Sequence, residues 1–104
     1  MKGQNYQTTL KAFAFRLTPH QDLKQEILLF AEKNKIRAGC IITCVGSLQQ
    51  LHLRFANQEK EKLKKGFFEI TSLVGTFSNS SAHLHLAVAD PKRKTVEVIC
   101  WRKL

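Results

Sequence analysis

Two histidines two residues apart interrupt the apolar run "SAHLHLAVAD", residues 81–90. On a β-strand, residues i and i+2 share a face. His83 and His85 therefore stand side by side, with Leu84, Leu86 and Val88 on the opposite face. Two neutral imidazoles so placed suit a divalent metal, zinc foremost by ligand type. They fall short of the roughly three protein ligands plus water that a catalytic zinc needs, so the pair also reads as the lining of a polar face or subunit seam. Ala87 and Ala89 share that face, and their small side chains leave room for a ligand or a neighbouring subunit.

Other chemistry-bearing residues are scattered. In "LQQLHLRFAN" the alternation puts Leu51, Leu53 and Phe55 inward and Gln50, His52 and Arg54 outward, where His52 offers a third ligand and Arg54 an anion clamp, or both simply face solvent. Glu69, in "GFFEITS", lies among aromatic and β-branched residues. A carboxylate there must be paired, hydrogen-bonded or solvent-facing; it is a candidate general base, or a structural partner for an arginine such as Arg54. Lys60, Lys62, Lys64 and Lys65 in "KEKLKKG" and Lys92, Arg93 and Lys94 in "DPKRK" are candidate phosphate contacts, which would give salt-dependent, sequence-independent affinity. The glycines form neither a P-loop nor a dinucleotide fingerprint. Cys40 and Cys44 are spaced C-x3-C without a second pair, against the four ligands of a structural zinc. All three cysteines lie in apolar runs, which suits buried free thiols in a reducing compartment.

These residues need elements to hold them. "KAFAFRL" alternates and predicts a strand over 11–17 with Phe13, Phe15 and Leu17 on one side. The next stretch predicts a helix over 19–34. Thr18 and Gln21 form a capping box, Pro19 fits the first turn, and His20 falls within that turn. Leu23, Ile27, Phe30 and Ala31 make one apolar face. "AGCIITCVGS" predicts a central strand closed by Gly46, with a bend at "VGSL". Strands follow over "LQQLHLRFAN", "FFEITSLVGTF", "AHLHLAVAD" and "TVEVICW". Between them lie the charged connection "NQEKEKLKKG", a polar turn at "SNSS" and a turn at "DPKRK". The tally of one strand, one helix and five strands is α+β, a mostly antiparallel sheet with one main helix packed on it.

At 104 residues with 43% hydrophobic and 24% charged residues, the chain fits one globular domain, 1–104. No run of ~18 apolar residues marks a membrane span and the start does not read as a signal peptide. The expected location is intracellular, cytoplasmic or nuclear. A net charge of +9, from 17 Lys and Arg against 8 Asp and Glu, makes nucleic acid the first partner to consider. No helix-turn-helix, zinc finger or aromatic RNA-binding strand motif accompanies it.

The motifs taken in order, "FAFRLTPHQDLKQEILLFAEKNKI", "VGSLQQLHLRF", "GFFEITSLVGTF" and "AHLHLAVAD", resemble the PPC (plants and prokaryotes conserved) domain over residues 13–90. Its hallmarks correspond to Gly46, Ser47 and Leu48, to Gly66, Phe68, Glu69 and Ile70 of the G-x-F-E-I segment, and to the H-L-H of His83–His85. The resemblance implies a PPC-like α+β fold, assembly as a homotrimer, a DNA-related role and contact with regulatory proteins. It also implies His83 and His85 as ligands in those members that hold a metal. The chain departs from the pattern in three places. "DPKRKTVEVICWRKL" stands where a G-G-H-L segment usually supplies a third histidine, so the C-terminal strands are shortened or divergent. No AT-hook is present, and Phe67 stands where plant members have Arg.

Two functional expectations follow. The first is a non-enzymatic oligomerisation and interaction module that associates with DNA through a basic surface and needs no cofactor. The second is a metal-dependent enzyme or small-ligand binder using His83 and His85, with zinc as the metal and Glu69 as base.

Overall fold

A computed structural model describes residue 3 and residues 5–54, 62–92 and 95–100, with the side chains of 52–54, 62–64 and 96–100 outside that description. The elements run α1 (Leu23–Lys33), β1 (Gly39–Cys40), β2 (Ser47–Arg54), β3 (Lys62–Phe77), β4 (Ala82–Ala89) and β5 (Thr95–Cys100). Every strand pairing is antiparallel. This is the α+β architecture that the hydrophobic pattern predicts.

The helix is shorter at its start than its cap residues suggest. The Thr18 N–H donates to the Gln21 side-chain oxygen at 2.6 Å, so that half of the capping box forms. His20, however, has a φ of 73°, left-handed backbone that a helix cannot contain. The helix therefore begins one turn later, with Asp22 as its cap accepting from the Gln25 N–H at 2.9 Å. It ends in a Schellman arrangement: Ile36 N–H donates to the Ala31 carbonyl at 2.8 Å, Lys35 N–H to that of Glu32 at 3.2 Å, and Lys35 takes a φ of 54°. Ile27, Leu28 and Ala31 are buried, and Leu23 packs at the edge of the core.

The predicted strand over 11–17 does not form. That segment has no regular structure and pairs with no strand. Its alternation serves a different partner, since Phe15 stacks on Phe30 of α1 at 4.6 Å and Phe13 meets the same ring edge-on at 5.2 Å. The central strand predicted over "AGCIITCVGS" shrinks to Gly39–Cys40, paired with Phe77 and Thr76. Ile42 and Val45, which such a strand would bury, are 66% and 91% exposed. Cys40 is likewise exposed and Cys44 half-buried, against the expectation of buried thiols.

The long strand β3 organises the sheet. Its first half pairs with β2 and its second half with β4, and Glu69 has a partner on each side, Ser47 and Ala89. Two bulges bend it. Between the pairs Leu48↔Phe68 and Gln50↔Lys65, β3 carries one residue more than β2; between Ile70↔Val88 and Ser72↔Ala87, it carries one more than β4. Such insertions tighten the local twist and re-aim the strand. β5 then runs along β4 and touches β2 at Leu53↔Cys100 and Arg54↔Ile99. The four strands β2, β3, β4 and β5 thus join into a ring. Leu51, Phe68, Leu73, Leu84, Leu86 and Val88 form the core with Ile27 of the helix laid over them.

Candidate functional site

β4 alternates as its sequence requires: Leu84, Leu86 and Val88 are buried, while His83 and His85 are exposed. The two imidazoles stand on one face with centroids 5.1 Å apart and planes tilted by 44°. Register places Thr76 opposite His83 and Val74 opposite His85 on β3. Ala87 is only 7% exposed, so neighbouring groups already fill the room expected above it. The open surface lies at the His83 end instead.

Two imidazoles supply two donors, and a zinc site takes three or four protein ligands. Among the described residues no three His, Cys, Asp or Glu side chains gather into a metal-holding group. The described residues alone therefore do not complete a metal site around His83 and His85. His20 sits before the helix in left-handed backbone and not in its first turn. Glu69 is exposed at the middle of β3. The side chains of His52, the proposed third ligand, and Arg54, the proposed partner of Glu69, lie outside the description, as do those of Lys62 and Lys64 and the whole of Lys60, Arg93 and Lys94. Lys65 and Lys92 are exposed. Lys92 follows a turn in which its N–H donates to an Asp90 carboxylate oxygen at 2.9 Å.

The glycine-bearing motifs come together in space. Gly46 and Gly66 have φ values of 153° and 158°, in a range that side-chain-bearing residues rarely adopt. Gly66 falls in the first bulge of β3, where the strand turns so that Phe68 enters the core and Phe67 stays 72% exposed. The Ile70 N–H donates to the Gly46 carbonyl at 2.8 Å, and Ser47 pairs with Glu69. "GSL" and "GFFEI" are thus strand neighbours, and their glycines serve the backbone path. Sequence reasoning did not single out Arg37, Thr76 or Ser81, which the β1–β3–β4 register brings next to His83. No local spacing signals that convergence.

Comparison with known proteins is consistent across sequence and fold. The structure superposes on that of a hypothetical protein from Salmonella enterica at a TM-score of 0.83 and 38% identity, covering 86% of this chain and 64% of that one. A protein from Bacteroides thetaiotaomicron, described as a "putative dna binding protein", matches at a TM-score of 0.73 and 25% identity, covering 82% and 63%. Among curated proteins, the bifunctional protein GlmU of two Synechococcus strains is 42% and 41% identical over 87 residues. Those residues are 84% of this chain but 14% of each relative's length. The model of the Plants and Prokaryotes Conserved (PCC) domain matches residues 4–99. The chain belongs to the PCC domain family.

Proposed function

We propose that this PCC domain is a non-enzymatic oligomerisation and interaction module that associates with DNA. The observation that carries this is family membership over residues 4–99, supported by the likeness to the Bacteroides protein and a net charge of +9. Lys65 and Lys92 supply exposed cations, with Arg54, Lys60, Lys62, Lys64, Arg93 and Lys94 as further proposed phosphate contacts. A homotrimer, the state that the family resemblance implies, triples the charge and lets weak single-site contacts combine. Ile42, Val45, Phe67 and Val74 are each more than 60% exposed, and burying such side chains between copies would favour assembly.

Native mass measurement with elemental analysis tests the assembly, and a trimer without metal is the expected result. Titration of duplex DNA tests the partner. With about four of these eight side chains on phosphates, the affinity falls on the order of a hundredfold between 50 and 200 mM salt. A salt-independent affinity, or a monomer at all concentrations, would refute the module.

The 5.1 Å pairing of His83 with His85 favours a second reading, a metal-dependent enzyme or ligand binder with zinc on those imidazoles. It requires a further ligand from a second copy or from outside the described residues. One zinc per chain, lost in His83→Ala, would establish it.

A further inference from the structure

Beside His83, where β1, the end of β3 and the start of β4 meet, the surface dips into a cleft of about 330 Å³. Its floor is apolar. The Phe77 ring lies over Gly39, so close that a β-carbon at 39 would come within 2.6 Å of two ring atoms. Its rim is polar and one-signed: Arg37, Thr76, Ser81 and His83 line it, and no Asp or Glu does. The rim is also partly fixed. The Ser78–Ser81 turn is closed by the Ser78 N–H donating to the Ser81 carbonyl at 2.8 Å. The N–H groups of Ser80 and Ser81 donate to the Ser78 hydroxyl oxygen at 3.2 and 3.3 Å. Thr76 and His83 are register partners on paired strands. Among the described residues, the Arg37 guanidinium and the Thr76 and Ser81 hydroxyls have no hydrogen-bond partner.

We propose that this cleft binds a phosphate group, free or as a small phosphomonoester. The guanidinium fork, two hydroxyls and an imidazole offer more donors than the two oxygens of a carboxylate can use, and they suit a tetrahedral oxyanion. Arg37 supplies the permanent charge and bidentate geometry. Thr76 and Ser81 take the remaining oxygens, and the Phe77 floor accepts the organic part of an ester. A few placed polar groups beside an apolar ring, in an open depression of about 330 Å³, suit a small and partly solvated ligand such as phosphate. This inference does not depend on the DNA-associated role.

The test is titration of the ¹⁵N-labelled, chelator-treated protein with inorganic phosphate, adenosine 5′-monophosphate and acetate, following the amides of Thr76, Ser81 and His83. Saturable shifts are expected with phosphate and with the nucleotide, and little response to acetate. Arg37→Ala, an exposed position, should weaken phosphate at least about tenfold, and Thr76→Val about threefold or more. Lys92→Ala should leave phosphate binding unchanged while lowering DNA affinity, which separates the two roles. No saturation below about 50 mM phosphate, a Kd too weak to matter, would overturn the proposal. So would equal binding by Arg37→Ala, or an acetate response as strong as that to phosphate. Duplex DNA moving these amides while phosphate and the nucleotide do not would also overturn it, and would assign the cleft to the DNA surface.

Discussion

Replacing Gly75 by alanine tests how closely β3 and β4 fit behind the histidine pair. Gly75 pairs with Leu84. A β-carbon there would lie 2.9 Å from the Leu84 Cα and 2.8 Å from its Cδ2, and closer still to the His83 carbonyl oxygen. Ordinary contact begins at 3.4 Å, so the backbone of β4 must retreat by at least half an ångström. Two of the three obstructing atoms are backbone, which no rotamer change can move. Leu84 is fully buried, so its side chain has no empty space to enter. Overpacking of this kind costs about 1–3 kcal/mol, and the backbone clash puts it near the top. Removing a glycine from a strand returns about 0.5–1 kcal/mol of chain entropy. The steric term wins, and the net destabilisation is about 2 kcal/mol. At fixed protein concentration the Tm should drop by roughly 8–16 °C. The assay is thermal and urea unfolding of both proteins, with His83→Ala as a control expected within about 0.5 kcal/mol because its side chain is exposed. A Gly75→Ala protein as stable as the parent would refute the close approach of the two strands.

Other positions carry expectations of different sign. Leu84→Ala, emptying a site with no exposure, should cost about 2–5 kcal/mol in urea unfolding. Asp22→Ala removes the bond to the Gln25 N–H and should cost about 1 kcal/mol, with lower helicity by circular dichroism. Lys35→Gly should stabilise the protein: relief of left-handed backbone strain is worth about 1–2 kcal/mol and lost chain entropy about 0.5–1, leaving a net gain of about 0.5–1 kcal/mol. Burial pushes the Cys44 thiol above its ordinary value of 9.0. Its alkylation at pH 8 should be slower than that of free cysteine and should accelerate as pH rises past that value. The neutral thiol is the form that folding favours. Its contribution to stability is therefore complete below the unfolded thiol's pKa and is lost as pH rises through the folded one; Cys44→Ala should flatten that alkaline decline.

How much of this was legible depended on where each residue's partner lies. The β4 alternation and the polar turns at Ser78–Ser81 and Asp90–Lys92 are local features, and they appear as read. The helix also appears, but the capping residues Thr18 and Gln21 placed its start too early because the left-handed backbone at His20 leaves no composition signal. Phe13 and Phe15 alternate as a strand would, yet their partner is Phe30 of the helix, a tertiary contact that periodicity cannot name. "CIITCV" has strong β propensity, but only Cys40 enters the ladder, the Ile41 N–H adds one last bond to the Gly75 carbonyl at 3.1 Å, and propensity without further pairing does not extend the strand. The strand over "FFEITSLVGTF" reaches back to Lys62, through charge that reads as loop. The histidine pair was readable from spacing. Its neighbours Arg37, Thr76 and Ser81 were not, since they meet only through inter-strand register.

Because β3 changes neighbours halfway along, with Glu69 bonded into both ladders, neither hairpin can slip by one residue without dragging the other out of alignment. β5 ties the far ends together through Leu53 and Arg54. Amide protons on β2 and β4 should therefore exchange with deuterium through one common opening, even though the two strands share few direct contacts. Mechanical or chemical stress applied to one flank of the molecule should be felt on the opposite flank.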